Sequence, residues 1–252
     1  MIELKGKVVI ITGGGRGIGF GLSTAFAKAG ANIVITGRTQ STLDTAKEKL
    51  AVYGTEVLTV TADGADEVAI KNVIDKTIEK FGRLDAVINN AQASASGKML
   101  IQHTKEDLDL AIYSGIYATF FYMKEAYPYL KESKGAVVNF ASGAGLFGRI
   151  AQSSYAAAKE GIRGLSRVAA TEWAPDGIRV NVICPLAMTE GLQKFKEEYP
   201  ERYEQTIKGV PMGRFADPEK DVGGLCVFLC SDEASYITGE TITLQGGSGL
   251  RP

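Results

Sequence analysis

A tyrosine and a lysine, Tyr155 and Lys159, stand four residues apart in a helical pattern. That spacing puts both side chains on one face of a helix, one turn apart. A phenol has an ordinary pKa of ~10, too high for a base at neutral pH, but a fixed ammonium beside it favours the phenolate. Ser142 follows an apolar strand pattern and carries a hydroxyl that can hold the same oxygen. Together these residues predict proton transfer at an alcohol or carbonyl oxygen.

A glycine-rich turn precedes the first helical pattern. Residues 12–19 read Thr-Gly-Gly-Gly-Arg-Gly-Ile-Gly and follow the apolar run 8–11. Glycine lets the backbone turn sharply and approach a pyrophosphate with no Cβ in the way. The N–H groups and positive dipole end of the following helix then face the phosphates. The dinucleotide-binding residues predicted in this turn are Gly13, Arg16, Gly17, Ile18 and Gly19.

Apolar strand patterns alternate with helical patterns along the whole chain of 252 residues. Most strands are continuously apolar, as in a parallel sheet covered on both faces. The fold class predicted is α/β, a single doubly wound Rossmann domain over residues 1–252 with a mostly parallel seven-stranded sheet. The predicted strands are 7–12, 32–36, 56–61, 84–89, 135–140, 178–184 and 241–245. The predicted helices lie near 17–29, 40–52, 66–80, 105–131, 153–174 and 218–230.

One long stretch departs from this alternation. Residues 186–217 are charged and aromatic and lie between the sixth strand and the last helix. A segment at the carboxyl end of a strand is well placed for a substrate lid. The alternative is a plain helical excursion on the surface.

The end of the second strand predicts the type of dinucleotide. A site for NAD places an acid there, to bond the ribose 2′-hydroxyl. Here Gly37 takes that place and Arg38 follows. An arginine offers a 2′-phosphate a charge-assisted fork, and Arg16 could reach the same phosphate. The predicted cofactor is therefore NADP(H).

Polar residues also follow the third and fourth strands. Asp63 can bond an adenine amino group or form an Asx turn, and both interpretations stay open. Asn89 and Asn90, with Ala91, end the fourth strand at the edge where ligands bind in doubly wound sheets. Asparagines there can tie neighbouring strands together and contact a ribose.

Composition and charge limit the possible partners. The net charge of −1 provides no electrostatic footprint for nucleic acid or anionic membranes. The sequence shows no signal-peptide pattern and no apolar run of membrane length, so we expect a cytoplasmic protein. Three cysteines do not make a disulfide framework. Cys226 and Cys230 share an apolar helix face and are interpreted as small buried side chains rather than a metal pair.

The chain resembles the short-chain dehydrogenase/reductase family. The matching motifs are Thr-Gly-x-x-x-Gly-x-Gly at 12–19, Asn-Asn-Ala at 89–91, Ser142, Tyr-x-x-x-Lys at 155–159, Ile-Arg-Val-Asn at 178–181 and Tyr-Ile-Thr-Gly at 236–239. They occur in order, at family spacing, over nearly the whole chain. The resemblance implies a Rossmann fold, hydride transfer at a nicotinamide, a small-molecule carbonyl or alcohol substrate, and a homotetramer.

The resemblance also assigns roles to residues. Tyr155 becomes the general acid/base, Lys159 binds the ribose and lowers the tyrosine pKa, and Ser142 positions the oxygen. Thr189 falls where the family contacts the nicotinamide carboxamide, and Pro185 ends the sixth strand beside it.

Three positions depart from the family pattern. Gln92 replaces the glycine of Asn-Asn-Ala-Gly, and Leu186 replaces the glycine after Pro185. Gly115 falls where the long helix usually carries an asparagine that holds a water in the proton relay. A water could replace that amide, or Ser114 could take part.

The substrate class stays open at this point. The motifs look closest to 3-oxoacyl-carrier-protein reductases, for which Lys98, Arg149 and Arg214 are candidate carrier contacts. The departures leave room for a hydroxysteroid, a sugar or a small alcohol. The Gly115 departure also motivates a hypothesis of another class, a non-catalytic NADP(H)-binding sensor.

Overall fold

The chain forms one sheet of seven strands, as seen in a computed structural model that describes residues 2–250. The strands are β1 (Val8–Thr12), β2 (Asn32–Gly37), β3 (Val57–Thr61), β4 (Ala86–Asn89), β5 (Ala136–Phe140), β6 (Arg179–Pro185) and β7 (Thr241–Leu244). Their order is β3-β2-β1-β4-β5-β6-β7, and every neighbouring pair is parallel. The predicted doubly wound α/β fold is confirmed, and its sheet is entirely rather than mostly parallel.

Helices cover both faces of this sheet. They are α1 (Gly17–Lys28), α2 (Gln40–Leu50), α3 (Glu67–Phe81), α4 (Lys105–Ala111), α5 (Ala118–Ser133), α6 (Gly143–Phe147), α7 (Ser153–Trp173), α8 (Glu190–Glu198), α9 (Pro200–Lys208) and α10 (Gly224–Leu229). Two π-helical turns, Ile112–Tyr117 and Pro218–Gly223, precede α5 and α10. Short 3₁₀ turns lie at Ala51–Tyr53, Leu100–Gln102, Ala174–Asp176 and Asp232–Ala234. Among the described residues, no helix has the length and apolar character that crossing a bilayer requires.

The central strand β1 shows why this sequence forms a covered parallel sheet. Its five residues are all buried, and successive side chains face opposite sides. Ile11 packs in one apolar cluster with Phe26 of α1, whereas Ile10 packs in the other with Leu130 of α5. Each such fully buried side chain contributes about 1.5–3 kcal/mol. A continuously apolar strand is therefore stabilised by both helical layers.

Polar side chains tie the carboxyl ends of the central strands together. The Thr12 hydroxyl accepts from the N–H groups of Asn90 and Ala91, each at 2.9 Å. The Asn90 amide donates to the Thr12 carbonyl oxygen at 2.9 Å. Asn89 donates to Asn139 of β5 at 2.8 Å. The predicted strand-tying role of the asparagines is thus observed, at the edge where β1 and β4 part.

The long helix predicted at 105–131 is interrupted. Helices α4 and α5 are joined by the π-helical turn Ile112–Tyr117, within which Gly115 is buried. Ile116 of this turn packs directly against Gly161 of α7, where an added Cβ would collide with it. Single π-helical turns are rare in proteins, but those that do occur often lie at functional sites. The turn Ile112–Tyr117 contacts α7 at Gly161, two residues after Lys159.

The segment 186–217 contains α8 and α9. A backbone bond from Met188 to Ala216, 2.9 Å long, closes its base. Tyr203 packs edge-on against Phe215, with ring centroids 5.8 Å apart. Both the lid and the surface-excursion interpretations are compatible with this arrangement, so the lid stays a prediction.

Candidate active site

A cleft of about 970 Å³ opens at the carboxyl edge of the sheet, where β1 and β4 part. Its size and position suit an extended small-molecule ligand at the switch point of a doubly wound sheet. The predicted cofactor residues that line it are Gly13, Arg16, Gly17, Ile18, Gly19, Arg38, Asp63, Asn89, Ala91 and Thr189. Pro185, Ser142, Tyr155 and Lys159 are not among its lining residues.

The glycine turn forms a cradle that side chains would block. Gly13 and Gly17 have φ values of +67° and +54°, a left-handed conformation that favours glycine. A Cβ on Gly19 would collide with the Gly13 carbonyl, and one on Gly13 would lie 3.2 Å from Ala91. Helix α1 begins at Gly17, so its free N–H groups face the cleft. This arrangement fits the pyrophosphate of a dinucleotide.

Positive charge surrounds the cradle. Arg38 follows the last residue of β2 and is exposed, and Arg16 precedes α1. Neither guanidinium forms an ion pair with any of the residues that the structure describes. The first turn of α1 contains no acid. An anionic group in the cleft that both arginines line can therefore bind to either of them without displacing a carboxylate.

Two other predicted cofactor residues have structural partners. The Asp63 carboxylate accepts from the N–H of Ala65 at 3.0 Å, which is the Asx turn considered from the sequence. The Thr189 hydroxyl accepts from the N–H of Leu192 at 3.2 Å and caps α8. Both residues also line the cleft, so the predicted contacts with adenine and with the carboxamide remain predictions.

The three predicted catalytic residues come from β5 and α7. Ser142 follows β5 and caps α6, its hydroxyl accepting from Ala144 N–H at 3.1 Å. Tyr155 lies in the first turn of α7. The Lys159 Nζ lies 5.5 Å from the centre of the Tyr155 ring and donates to the carbonyl of Phe140, at the end of β5, at 2.6 Å. The fold thus brings the hydroxyl, phenol and ammonium to one place.

Burial shapes the acidity of this group. Desolvation raises the pKa of Tyr155, while hydrogen bonding to Ser142 and the charge of Arg149 oppose the rise. Burial also lowers the pKa of Lys159 to about 7. In the protein alone the pKa of Tyr155 is therefore raised, and the lowering expected from Lys159 stays a prediction for the site with its cofactor bound. Desolvation is the larger effect, and the sequence does not show how deeply α7 buries the pair.

The buried Lys159 gives a testable pH dependence. Its pKa is about 7 in the folded protein against 10.5 ordinarily, so the unfolded chain binds more protons between these values. The free energy of unfolding from this group consequently rises with pH through that window. We expect the Tm of Lys159→Met, relative to wild type, to fall as the pH is raised from about 6 to about 10.

Thermal denaturation of both proteins across this range measures the effect. Lys194→Met, which removes an exposed lysine of α8, is the control and should show a constant difference from wild type. Parallel Tm curves for Lys159→Met and wild type would contradict the assignment of a buried, easily deprotonated lysine.

Two of the departures from the family pattern meet in space. A Cβ placed on Gly115 would lie 2.9 Å from the carboxamide carbon of Gln92. Ser114 is already engaged, since its hydroxyl contacts the Leu110 carbonyl at 2.6 Å and accepts from Ala93 N–H at 3.0 Å. The two positions lie far apart in the sequence, which does not reveal their contact. The sequence does contain a signal for this contact: a side-chain amide is absent at Gly115, and one is present at Gln92, each in contrast to the family pattern.

The comparisons with known proteins agree with this geometry. The sequence model of a family described as enoyl-(acyl carrier protein) reductase matches residues 13–248. The 12alpha-hydroxysteroid dehydrogenase of a Clostridium sp. is 60% identical over 254 residues, covering 98% of each chain. The 3-oxoacyl-[acyl-carrier-protein] reductase of Thermotoga maritima is 33% identical over 248 residues, covering 98% of this chain and 99% of that one.

Solved structures agree as well. The crystal structure of levodione reductase superposes with a TM-score of 0.90 at 31% identity, covering 97% of this chain and 98% of that one. Fold, motif order and overall similarity point to the same conclusion. The chain belongs to the short-chain dehydrogenase/reductase family and is an oxidoreductase that acts on CH–OH and C=O groups.

Proposed function

We propose that the protein transfers hydride between NADP(H) and the ketone or secondary alcohol of a bulky apolar substrate of the hydroxysteroid class. The observation that carries this proposal is the 60% identity with a 12alpha-hydroxysteroid dehydrogenase along 98% of both chains. From the motifs alone, 3-oxoacyl thioesters come first and hydroxysteroids second. The much higher identity to the steroid enzyme reverses that order.

The site residues have defined tasks in this proposal. Tyr155 gives its proton to the carbonyl oxygen during reduction and takes it back during oxidation, while Ser142 holds that oxygen. Lys159 stabilises the phenolate by charge. The nicotinamide, when bound, supplies or accepts the hydride. Residues proposed to hold the cofactor are Gly13, Arg16, Gly17, Ile18, Gly19, Arg38, Asp63, Asn89, Ala91, Tyr155, Lys159, Pro185 and Thr189.

Apolar side chains on two joined loops support a bulky apolar substrate. Phe147 and Ile150 lie between Ser142 and Tyr155, and Ile150 is 74% exposed. Ile101, on the loop after β4, is 94% exposed. The backbone bond from Gly97 to Ala151, 2.8 Å long, holds the two loops together. Exposed apolar groups on segments joined in this way, one of which leads into Tyr155, suit the face of a fused ring system.

Two of the three basic side chains that are candidate carrier-protein contacts form ion pairs with acidic residues of this chain. Lys98 pairs with Asp107 at 2.8 Å, and Arg214 pairs with Asp221 through both carboxylate oxygens. Arg149 forms no ion pair within residues 2–250. A 3-oxoacyl thioester therefore remains the second candidate, favoured by the similarity to the Thermotoga maritima reductase.

NADPH absorbance in the presence of a ketone panel tests the proposal. The panel contains 12-oxo and 3-oxosteroids, an acetoacetyl thioester, sugars and cyclic ketones, with NADH in parallel. We expect kcat/KM for an oxosteroid to exceed that for the thioester at least about tenfold, a difference of ~1.4 kcal/mol in transition-state binding.

The other outcomes are equally informative. Turnover of the thioester alone would favour the second candidate. Tight NADPH binding with no turnover of any carbonyl would favour the non-catalytic sensor. A homotetrameric assembly, implied by the family resemblance, and a cytoplasmic location, expected from the sequence, are part of the proposal.

A further inference from the structure

The side-chain amide of Gln92 has hydrogen-bonding capacity that the fold does not use. Both Nε2 and Oε1 are buried, and neither finds a partner among the described residues. The residue lies on the loop after β4 and lines the cleft. Leaving a buried donor and acceptor unpaired is costly, and such groups in native proteins call for a specific explanation.

Gly115 is the seat of this amide. A Cβ on Gly115 would lie 2.9 Å from Cδ, 3.0 Å from Nε2 and 3.1 Å from Oε1 of Gln92. Any larger residue at 115 would push the carboxamide away, so the two residues form one unit. The π-helical turn that carries Gly115 places the following residue, Ile116, against Gly161 of α7. The turn that seats the amide therefore also packs against α7, the helix that carries Lys159.

The sheet brings the loop of Gln92 beside the loop of Ser142. Asn89 of β4 and Asn139 of β5 are register partners and are hydrogen-bonded at 2.8 Å. Gln92 lies three residues after Asn89, and Ser142 lies three residues after Asn139. Adjacent parallel strands that end in register deliver their following loops to the same side of the sheet edge. The amide and the proposed catalytic group thus share this edge.

Lys159 needs a hydrogen-bonded connection to solvent. It is only 3% exposed and donates to one protein acceptor, the Phe140 carbonyl, although an ammonium has three N–H donors. Each reduction removes a proton from Tyr155, and that proton must be replaced. The engaged hydroxyl of Ser114 already contacts the Leu110 carbonyl and the Ala93 backbone. The Gln92 amide offers both a donor and an acceptor.

We propose that Gln92, seated on Gly115, orders the water through which Lys159 exchanges protons with solvent. In reduction, the carbonyl carbon gains a hydride and its oxygen gains the Tyr155 proton. One proton from solvent then passes through this water to Lys159 and on to Tyr155, so the residues end each cycle unchanged. Gln92 is a positioning residue, and its role rests on the proposed oxidoreductase function.

A double-mutant cycle of Gln92→Gly and Gly115→Asn tests the unit, with Gln92→Leu as a third variant. Gln92→Gly and Gln92→Leu remove the amide, and Gly115→Asn displaces it, so each is expected to lower kcat about tenfold with KM and the NADPH Kd changed less than about twofold. The solvent deuterium isotope effect on kcat should rise in all three. Gln92→Gly combined with Gly115→Asn provides an amide from the opposite side and should recover kcat to within about threefold of wild type.

A stability measurement gives a readout that does not need turnover. Without a ligand, Gln92→Leu removes two buried polar atoms that have no partner among the described residues and keeps the apolar stem, so its Tm is expected to rise by about 2–4 °C. Asn72→Leu, which removes an exposed amide on α3, is the matched control and should change neither Tm nor kcat appreciably.

The possible failures are distinguishable. A wild-type protein that reduces no carbonyl refutes the proposed function and this inference together. An active wild type whose Gln92→Leu variant keeps its kcat and isotope effect refutes the inference alone. A loss confined to KM or to the NADPH Kd would also overturn it, because Gln92 would then be a ligand contact. Additive losses in the double variant would show that Gly115 is not the seat of the amide.

Discussion

The Tyr155→Phe variant is expected to lower kcat for carbonyl reduction by roughly 10²–10⁴-fold, the usual contribution of a positioned general acid. Its NADPH Kd should stay within about twofold, since the change removes a single oxygen from a ring that the fold keeps in place. The Tyr155 side chain is half-buried, its hydroxyl hydrogen-bonds Ser142, and the Lys159 Nζ lies 5.5 Å from the centre of its ring. Steady-state kinetics and fluorescence titration with NADPH measure the two quantities.

Ser142→Ala is the companion variant, because its hydroxyl touches the same oxygen without being the proton donor in the proposal. We expect it to lower kcat less than Tyr155→Phe does, with an unchanged NADPH Kd. A Tyr155→Phe enzyme that retains more than about a tenth of the wild-type kcat would require a different proton donor.

Arg38→Leu is expected to lower kcat/KM for NADPH by about 10- to 100-fold, because charge-assisted hydrogen bonds contribute ~1.5–3 kcal/mol. The value for NADH should change less than about twofold, since NADH has no 2′-phosphate. Adding Gly37→Asp should then make NADH the preferred cofactor. A Cβ on Gly37 makes only ordinary contact, at 3.4 Å from Leu43, so the new carboxylate fits at the end of β2.

Lys47→Leu, which removes an exposed cation of α2, controls for a general loss of positive charge and should leave the ratio of NADPH to NADH unaffected. A wild-type preference for NADH would contradict the interpretation of the β2 end. If Arg38→Leu lowered kcat/KM equally for NADPH and NADH, the arginine would lie near the pyrophosphate that both cofactors share.

The fold was predictable because each part of it follows a local rule. Residues 8–11 are continuously apolar, and such a run is buried on both sides in β1. The glycines at 13 and 17 adopt the left-handed conformation that the turn requires. The strand ends differ from the predicted ones by one or two residues, as expected where assignment depends on single hydrogen bonds.

Other features depend on contacts between distant parts of the chain. The apolar periodicity of 105–131 is the same for a continuous helix and for one with the π-helical turn Ile112–Tyr117. The pKa of Tyr155 depends on how α7 packs, and the sequence shows its spacing from Lys159 but not its burial. The seating of Gln92 on Gly115 joins a loop to a helix, so motif spacing alone could not reveal it.

The two helices of segment 186–217 are weakly anchored. Within the described chain, α8 buries no side chain and α9 buries only Tyr203, whereas β1 is buried throughout. Helices that bury so little apolar surface open locally at a small fraction of the free energy of global unfolding. Their backbone amides should exchange hydrogen with solvent while those of β1 stay protected. If the segment acts as the predicted lid, substitutions there would alter how tightly a ligand is held without lowering the temperature at which the sheet melts.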